Sequence, residues 1–179
     1  MQHAQTPMKT SPEAHPGSIR IMFVCMGNIC RSPLAHGIFC DLVAKAGLAA
    51  RFEVASSGTG AWHVGQPPDA RMRQTARQHG VSLDGLRARQ FVEADLEAYD
   101  HIFVMDKDNL HDVRYLDRHD RYGHKVRLFR EVDPEPGDYQ VPDPYYGGAQ
   151  GFETVYAMVN RTARELLDRL IEVYQLPRG

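Results

Sequence analysis

Behind the apolar run Ile19-Arg20-Ile21-Met22-Phe23 stands the segment Val24-Cys25-Met26-Gly27-Asn28-Ile29-Cys30-Arg31-Ser32-Pro33, and no other stretch constrains the chain as much. A cysteine and an arginine with five residues between them, set between a strand and a helix start, can wrap backbone N–H groups around a tetrahedral oxyanion. Gly27 supplies unusual backbone dihedrals and Asn28 tolerates a left-handed one, so successive N–H groups can turn inward. Ser32 and Pro33 read as N-cap and first helical residue, which aims the positive end of the helix at the same point. The planar fork of Arg31 can grip two oxygens at once. The same positive groups favour thiolate over thiol at Cys25, so the segment predicts a phosphate cradle with a nucleophile at its base.

Cys25 and Cys30 admit plainer uses: a structural disulfide, a pair of zinc ligands, or buried thiols at a strand end. Zinc needs four ligands, and neither a second cysteine pair nor a closely spaced histidine pair follows. The nine histidines form no ligand spacing. A formal net charge of -2 gives no reason to expect nucleic acid or an anionic membrane as partner. Three cysteines are too few for a disulfide scaffold, and a reactive thiolate suits a reducing compartment. No apolar stretch reaches membrane-spanning length and the first residues lack the apolar segment of a signal peptide, so the expected location is the cytoplasm.

Residues 1–18 are polar, proline-containing and aperiodic, which predicts a flexible leader ahead of a domain over residues 19–179. From Ile19 onward strands and helices alternate. Strands are expected at residues 19–24, 52–56, 101–105 and 125–129. Helices are expected at 33–46, where Leu34, Ala35, Ile38, Phe39, Leu42 and Val43 form one stripe, at 69–79 closed by Gly80, and after a capping Asp106. Phe152, Val155, Tyr156, Val159, Ala163, Leu166, Leu167, Leu170 and Tyr174 mark a long amphipathic helix at the C-terminal end. Such alternation implies an α/β chain with a parallel sheet covered on both faces, whose ligand lies beyond the carboxyl ends of the strands. That is where the Cys25 loop falls.

Residues 131–150 are one long irregular segment rich in Pro, Asp and Gly, and a loop of that length within a domain is usually functional. At its centre Asp143 sits on a backbone stiffened by Pro142 and Pro144, with Tyr145 and Tyr146 directly after. Taken alone, it reads equally well as a surface turn with a tyrosine pair tucked onto the domain.

Residues 24–33, the stretch Asp143-Pro144-Tyr145-Tyr146-Gly147-Gly148 and the helix start Phe152-Glu153-Thr154-Val155-Tyr156 together resemble the low-molecular-weight protein tyrosine phosphatases. The resemblance spans nearly all of the chain beyond residue 18. It implies a three-layer, flavodoxin-like fold with a four-stranded parallel sheet, and hydrolysis of phosphotyrosine through a phosphocysteine with neither metal nor cofactor, since Arg31, the loop N–H groups and the helix end supply the positive charge. On that basis Cys25 is the expected nucleophile, Arg31 the phosphoryl-binding cation and Asp143 the general acid. Met26, Gly27, Asn28, Ile29, Cys30 and Ser32 make up the phosphate loop, with Ser32 supporting the thiolate. Asn28, Ser56 and His79 are expected to form a buried network behind the loop. Trp62, Ile29, Tyr145 and Tyr146 would wall the slot. Read without the resemblance, His79 is equally a helix C-cap beside Gly80, and Trp62 equally a core residue. Partners would be phosphotyrosine-containing proteins, with weak self-association a further expectation. Cys30, close to Cys25 in a tight loop, is the expected redox partner.

Three rivals share features with this reading. An arsenate reductase on the same fold relays oxidation to cysteines downstream, but none follows Cys40. A protein-arginine phosphatase of the same family would resemble the chain with Thr in place of Ile29. A non-catalytic phosphotyrosine-binding module would have no use for Cys25 together with Asp143.

Overall fold

In the computed structural model, which describes residues 17–145 and 147–178, the apolar run behind the loop is a strand, β1 (Ile19–Cys25). The expected leader therefore lies almost wholly outside the described residues. β1 is paired on both edges: with β2 (Phe52–Gly58) on one side and β3 (His101–Val104) on the other, both parallel. β4 (Val126–Leu128) adds in parallel to β3, giving the order β2-β1-β3-β4. A strand flanked on both edges and covered on both faces has no polar side, which accounts for its continuous run of apolar residues.

Side chains alternate along β1. Ile19, Ile21, Phe23 and Cys25 join the core on one face of the sheet, while Met22 and Val24 join the core on the other. The first face is covered by α1 (Arg31–Lys45), α2 (Ala70–Gln78) and the long α5 (Ala149–Tyr174). Phe23 is its centre, with ring centroids 5.9 Å from Phe39, 6.0 Å from Phe103 and 5.3 Å from Phe129. Each such pair contributes about 0.5–1.5 kcal/mol beyond area burial, so the cluster holds β1 at a defined height against α1. The second face is covered by α3 (Glu93–Ala98) and α4 (Lys107–Leu116).

The expected parallel four-stranded architecture is present, and the departures are local. α1 begins at Arg31 rather than Pro33, because Leu34 N–H donates to the Cys30 carbonyl at 3.2 Å. Ser32 is consequently not the N-cap; it lies inside the first turn, free to use its hydroxyl elsewhere. α3 was not anticipated: six residues with Leu96 as the fully buried apolar anchor are too few to display a period. β4 is shorter than residues 125–129 because Phe129–Val132 curls into a 3₁₀ turn.

That turn leads into an anchor for the long irregular segment. Asp133, whose side chain is fully buried, accepts from Arg130 Nε at 2.9 Å, Arg161 Nε at 2.7 Å, Thr162 Oγ1 at 3.0 Å and Glu135 N at 2.9 Å. Burial by itself would raise its pKa, but the Arg161, Glu135, Arg130 and Thr162 donors outweigh that and bring it down to about 2. The segment that reaches Asp143 thus departs from a point fixed to α5.

Candidate active site

The carboxyl end of β1 delivers Cys25 to the base of a pocket lined by Cys25, Met26, Gly27, Ile29, Cys30, Arg31, His63, Asp143 and Tyr145. Asn28 adopts a left-handed conformation, φ 56°, as its residue type permits, and this folds the loop back so that its own N–H lies 3.3 Å from Cys25 Sγ. The loop is held from outside by the end of β2 and the residues that follow it. Thr59 N–H donates to the Cys25 carbonyl and Gly60 N–H to the Met26 carbonyl, both at 2.9 Å. Gly58 lies so close that a Cβ there would stand 2.6 Å from the Met26 carbonyl oxygen and 3.1 Å from Asn28 N. No residue with a side chain fits without moving the loop.

Behind the thiol is a buried polar relay. The Asn28 carboxamide is oriented by Arg89 N–H, which donates to Oδ1 at 3.0 Å, leaving Nδ2 to donate to Ser32 Oγ at 2.8 Å. The Ser32 hydroxyl proton then has two acceptors, the Ser57 carbonyl at 3.3 Å and Cys25 Sγ at 3.0 Å. A hydroxyl in that position stabilises negative charge on sulfur when the thiolate forms and when it departs. The first-turn N–H groups of α1 add positive potential from the same side, for its Cys30 cap offers them no side-chain acceptor and no acidic residue lies in the first turn.

Arg31 is 3% exposed. Burial works against its charge, but Cys25, Asp106 and Asp143 hold its pKa above the ordinary value. Nη1 donates to Asp106 Oδ2 at 2.6 Å and to the Val141 carbonyl at 3.0 Å, and Nη2 stands 3.6 Å from Asp143 Oδ2. Asp106 is itself fixed as the cap of α4, accepting from Asn109 N at 2.8 Å. The guanidinium is buried and the Asp106 carboxylate half-buried, so this pairing keeps the guanidinium aimed at the pocket before any anion arrives. Asp143 lies at the rim of the pocket, with Oδ1 accepting from Tyr145 N at 3.0 Å.

Met26, Gly27, Ile29 and Cys30 line the pocket, with Asn28 and Ser32 directly behind it; three other expectations need correction. Ser56 makes no contact with Asn28. Its place in the strand alternation turns its hydroxyl to His36 Nδ1, 3.2 Å away, and the neighbouring Ser57 supplies the contact to Ser32. Burial pushes the His36 pKa down to about 4, so that imidazole stays neutral. His79 is the C-cap of α2 and faces α5, stacked on Tyr156 at 3.9 Å with Nε2 2.9 Å from Glu153 Oε2. Trp62, 71% exposed, folds over Gly60 and does not line the slot, whereas His63 beside it does. Tyr146 falls outside the described residues, so of the two expected tyrosine walls only Tyr145 can be placed. Sequence reasoning missed Asp106, Gly58, His63 and Arg89. In sequence Asp106 shows only the signature of a helix cap, and the Arg89 contribution is a backbone N–H, which has no signature by residue type.

Residues 20–176 match the sequence profile of the family described as low molecular weight phosphotyrosine protein phosphatase. The low molecular weight protein-tyrosine-phosphatase YfkJ of Bacillus subtilis is 41% identical over 159 residues, covering 88% of this chain and 99% of that protein. A crystal structure of a protein tyrosine phosphatase from Entamoeba histolytica superposes with a TM-score of 0.82 at 33% identity, covering 87% of this chain and 98% of the other. A Drosophila arginine phosphatase also shares the fold, with a TM-score of 0.79 at 30% identity and coverage of 85% and 98%.

Proposed function

The chain belongs to the low molecular weight phosphotyrosine protein phosphatase family and hydrolyses phosphotyrosine, and from that premise we propose that Cys25, Arg31 and Asp143 carry the reaction between them. One observation supports it above the rest: a single pocket has the Cys25 thiol at its base, Arg31 on its wall and Asp143 on its rim. In the first step Cys25 Sγ attacks phosphorus, the bond to the tyrosyl oxygen breaks, and protonated Asp143 gives its proton to that oxygen. Arg31, the loop N–H groups and the start of α1 carry the charge on the equatorial oxygens. In the second step the Asp143 carboxylate takes a proton from water, the oxygen of which attacks the phosphocysteine. The S–P bond breaks, inorganic phosphate leaves, and Ser32 Oγ receives the returning thiolate.

Depth supports tyrosine as the substrate residue. Cys25 is 3% exposed, below a rim made by Met26, His63 and Tyr145, so a phosphate must arrive on a long flat side chain. Matched peptides bearing phosphotyrosine or phosphoserine are expected to differ by at least about 10²-fold in kcat/KM, the aromatic ester being faster, because a short side chain forfeits the near-attack geometry. Comparable rates would contradict the slot. Ile29, 8% exposed in the loop, stands where the arginine-phosphatase reading expected Thr, and a phosphoarginine peptide in the same assay tests that alternative directly.

No helix among the described residues is long and apolar enough to cross a membrane. A thiol nucleophile is compatible with the cytoplasm as the working compartment and phosphotyrosine proteins there as partners. Redox control is a further part of the reading. Cys30 is buried in the pocket wall, and burial followed by Asp69 and Cys25 pushes its pKa far up, so it stays a thiol and does not compete as nucleophile. Peroxide is expected to oxidise Cys25 to a sulfenic acid, which condenses with the Cys30 thiol to a disulfide and water. Activity should return with dithiothreitol, and Cys30→Ser should make the loss irreversible. Cys40 is exposed on α1 and absent from the pocket lining. A Cys25–Cys40 bridge in the peptide map, or recovery unaffected by Cys30→Ser, would refute this.

A further inference from the structure

We propose that Arg71 is a positioning residue for the general acid, clasping the loop that carries Asp143 to the loop that carries Cys25. The inference rests on the assignment of Asp143 as the acid.

The contacts form a closed ring. Asp69 N–H donates to the Ile29 carbonyl of the phosphate loop at 2.8 Å. The Asp69 carboxylate caps α2 by accepting from Arg71 N at 2.8 Å, and also takes Arg71 Nε at 3.1 Å on Oδ1 and Nη2 at 3.0 Å on Oδ2. Arg71 Nη2 reaches across to donate to the Tyr145 carbonyl at 3.1 Å, while its guanidinium carbon lies 5.5 Å from the Tyr145 ring centroid and 4.8 Å from that of Phe152. Tyr145 N–H donates to Asp143 Oδ1, and Asp143 Oδ2 returns to Arg31. Three of these contacts join separate segments: Asp69 to Ile29, Arg71 to Tyr145, and Asp143 to Arg31. Val141 is tied to Arg31 and Met105 without Arg71, so what Arg71 adds is the hold on the loop beyond Asp143, at Tyr145.

The chemistry of the side chain fits this task. Only a planar fork can meet the Asp69 carboxylate on one edge, donate to a carbonyl on the other, and lie against two aromatic rings. The Arg71 side chain is 49% exposed, and an exposed ion pair contributes little to stability. Its loss should leave the fold intact while releasing Tyr145 and, through it, Asp143. Displacement of a catalytic group by about 1 Å can cost on the order of 10² in rate, and here the cost should fall on the step that needs the proton.

Arg71→Met keeps the stem over Phe152 and removes the fork; Arg71→Lys keeps the charge. For Arg71→Met, kcat/KM on a phosphotyrosine peptide should fall about 10- to 30-fold, and on p-nitrophenyl phosphate, whose leaving group hardly needs a proton, less than about 3-fold. Inhibition by inorganic phosphate should stay within about 2-fold, since the phosphate loop is untouched, and Arg71→Lys should recover part of the lost selectivity. In an Asp143→Asn background the same substitution should have almost no further effect. Equal losses on both substrates, or a full additional loss in the Asp143→Asn background, would overturn the clasp. If Asp143→Asn alone shows no dependence on leaving group, the failure lies in the acid assignment, and the clasp falls with it.

Discussion

Cys25→Ser is expected to leave no measurable turnover of phosphotyrosine or p-nitrophenyl phosphate, while inorganic phosphate or vanadate still binds. A serine hydroxyl is nearly isosteric with the thiol but does not ionise at neutral pH, and the Ser32 hydroxyl and Asn28 N–H, suited to a sulfur anion, cannot make it do so. The groups that bind the oxyanion stay in place: Arg31 is held by Asp106 and Val141, and the loop is pinned by Thr59 and Gly60 just after β2. Binding and chemistry should therefore separate in one variant. Steady-state assays beside calorimetric titration with phosphate decide it, and near wild-type turnover would end the phosphocysteine mechanism.

Asp143→Asn should be the second largest loss, on the order of 10²–10⁴-fold for phosphotyrosine and less for activated aryl phosphates. The substitution preserves size and the acceptor for Tyr145 N–H, so the loop has no reason to move. What disappears is the transferable proton and the negative charge near Arg31. A plot of kcat/KM against leaving-group pKa should steepen relative to the unsubstituted enzyme. Parallel slowing of every ester would instead assign Asp143 a purely positional task.

The layered architecture was legible because apolar period and chain order are local properties. Residues 19–24, 33–46 and the stripe from Phe152 to Leu170 each announce their element, and parallel pairing follows from their alternation. The loop residues were legible too, since Cys, Gly, Asn and Arg at that spacing suit one geometry. What escaped is whatever depends on a partner distant in sequence. Asp106 reads as a helix cap, and nothing near it announces that its second oxygen holds Arg31. Ser56 turns its hydroxyl to His36 while the contact to Ser32 comes from the Ser57 backbone carbonyl, which has no signature by residue type, and Trp62 and His63 differ in which of two adjacent side chains faces the pocket. His79 was drawn away by Glu153 and Tyr156, contacts made only when α2 docks on α5.

The strand order carries a consequence for how the chain comes to be active. β1 is made before its sheet neighbours β2 and β3, and the loop beyond it is completed by Gly58, Arg89, Asp106 and finally Asp143. Every one of these closures spans a long stretch of chain, and long-range closures form late because the entropy of the intervening segment must be surrendered first. A nascent or half-folded chain thus carries an ordinary cysteine with no anion cradle around it and no acid above it. Catalytic competence requires all of these closures together, so a chain in which any one is missing lacks part of the cradle or its acid.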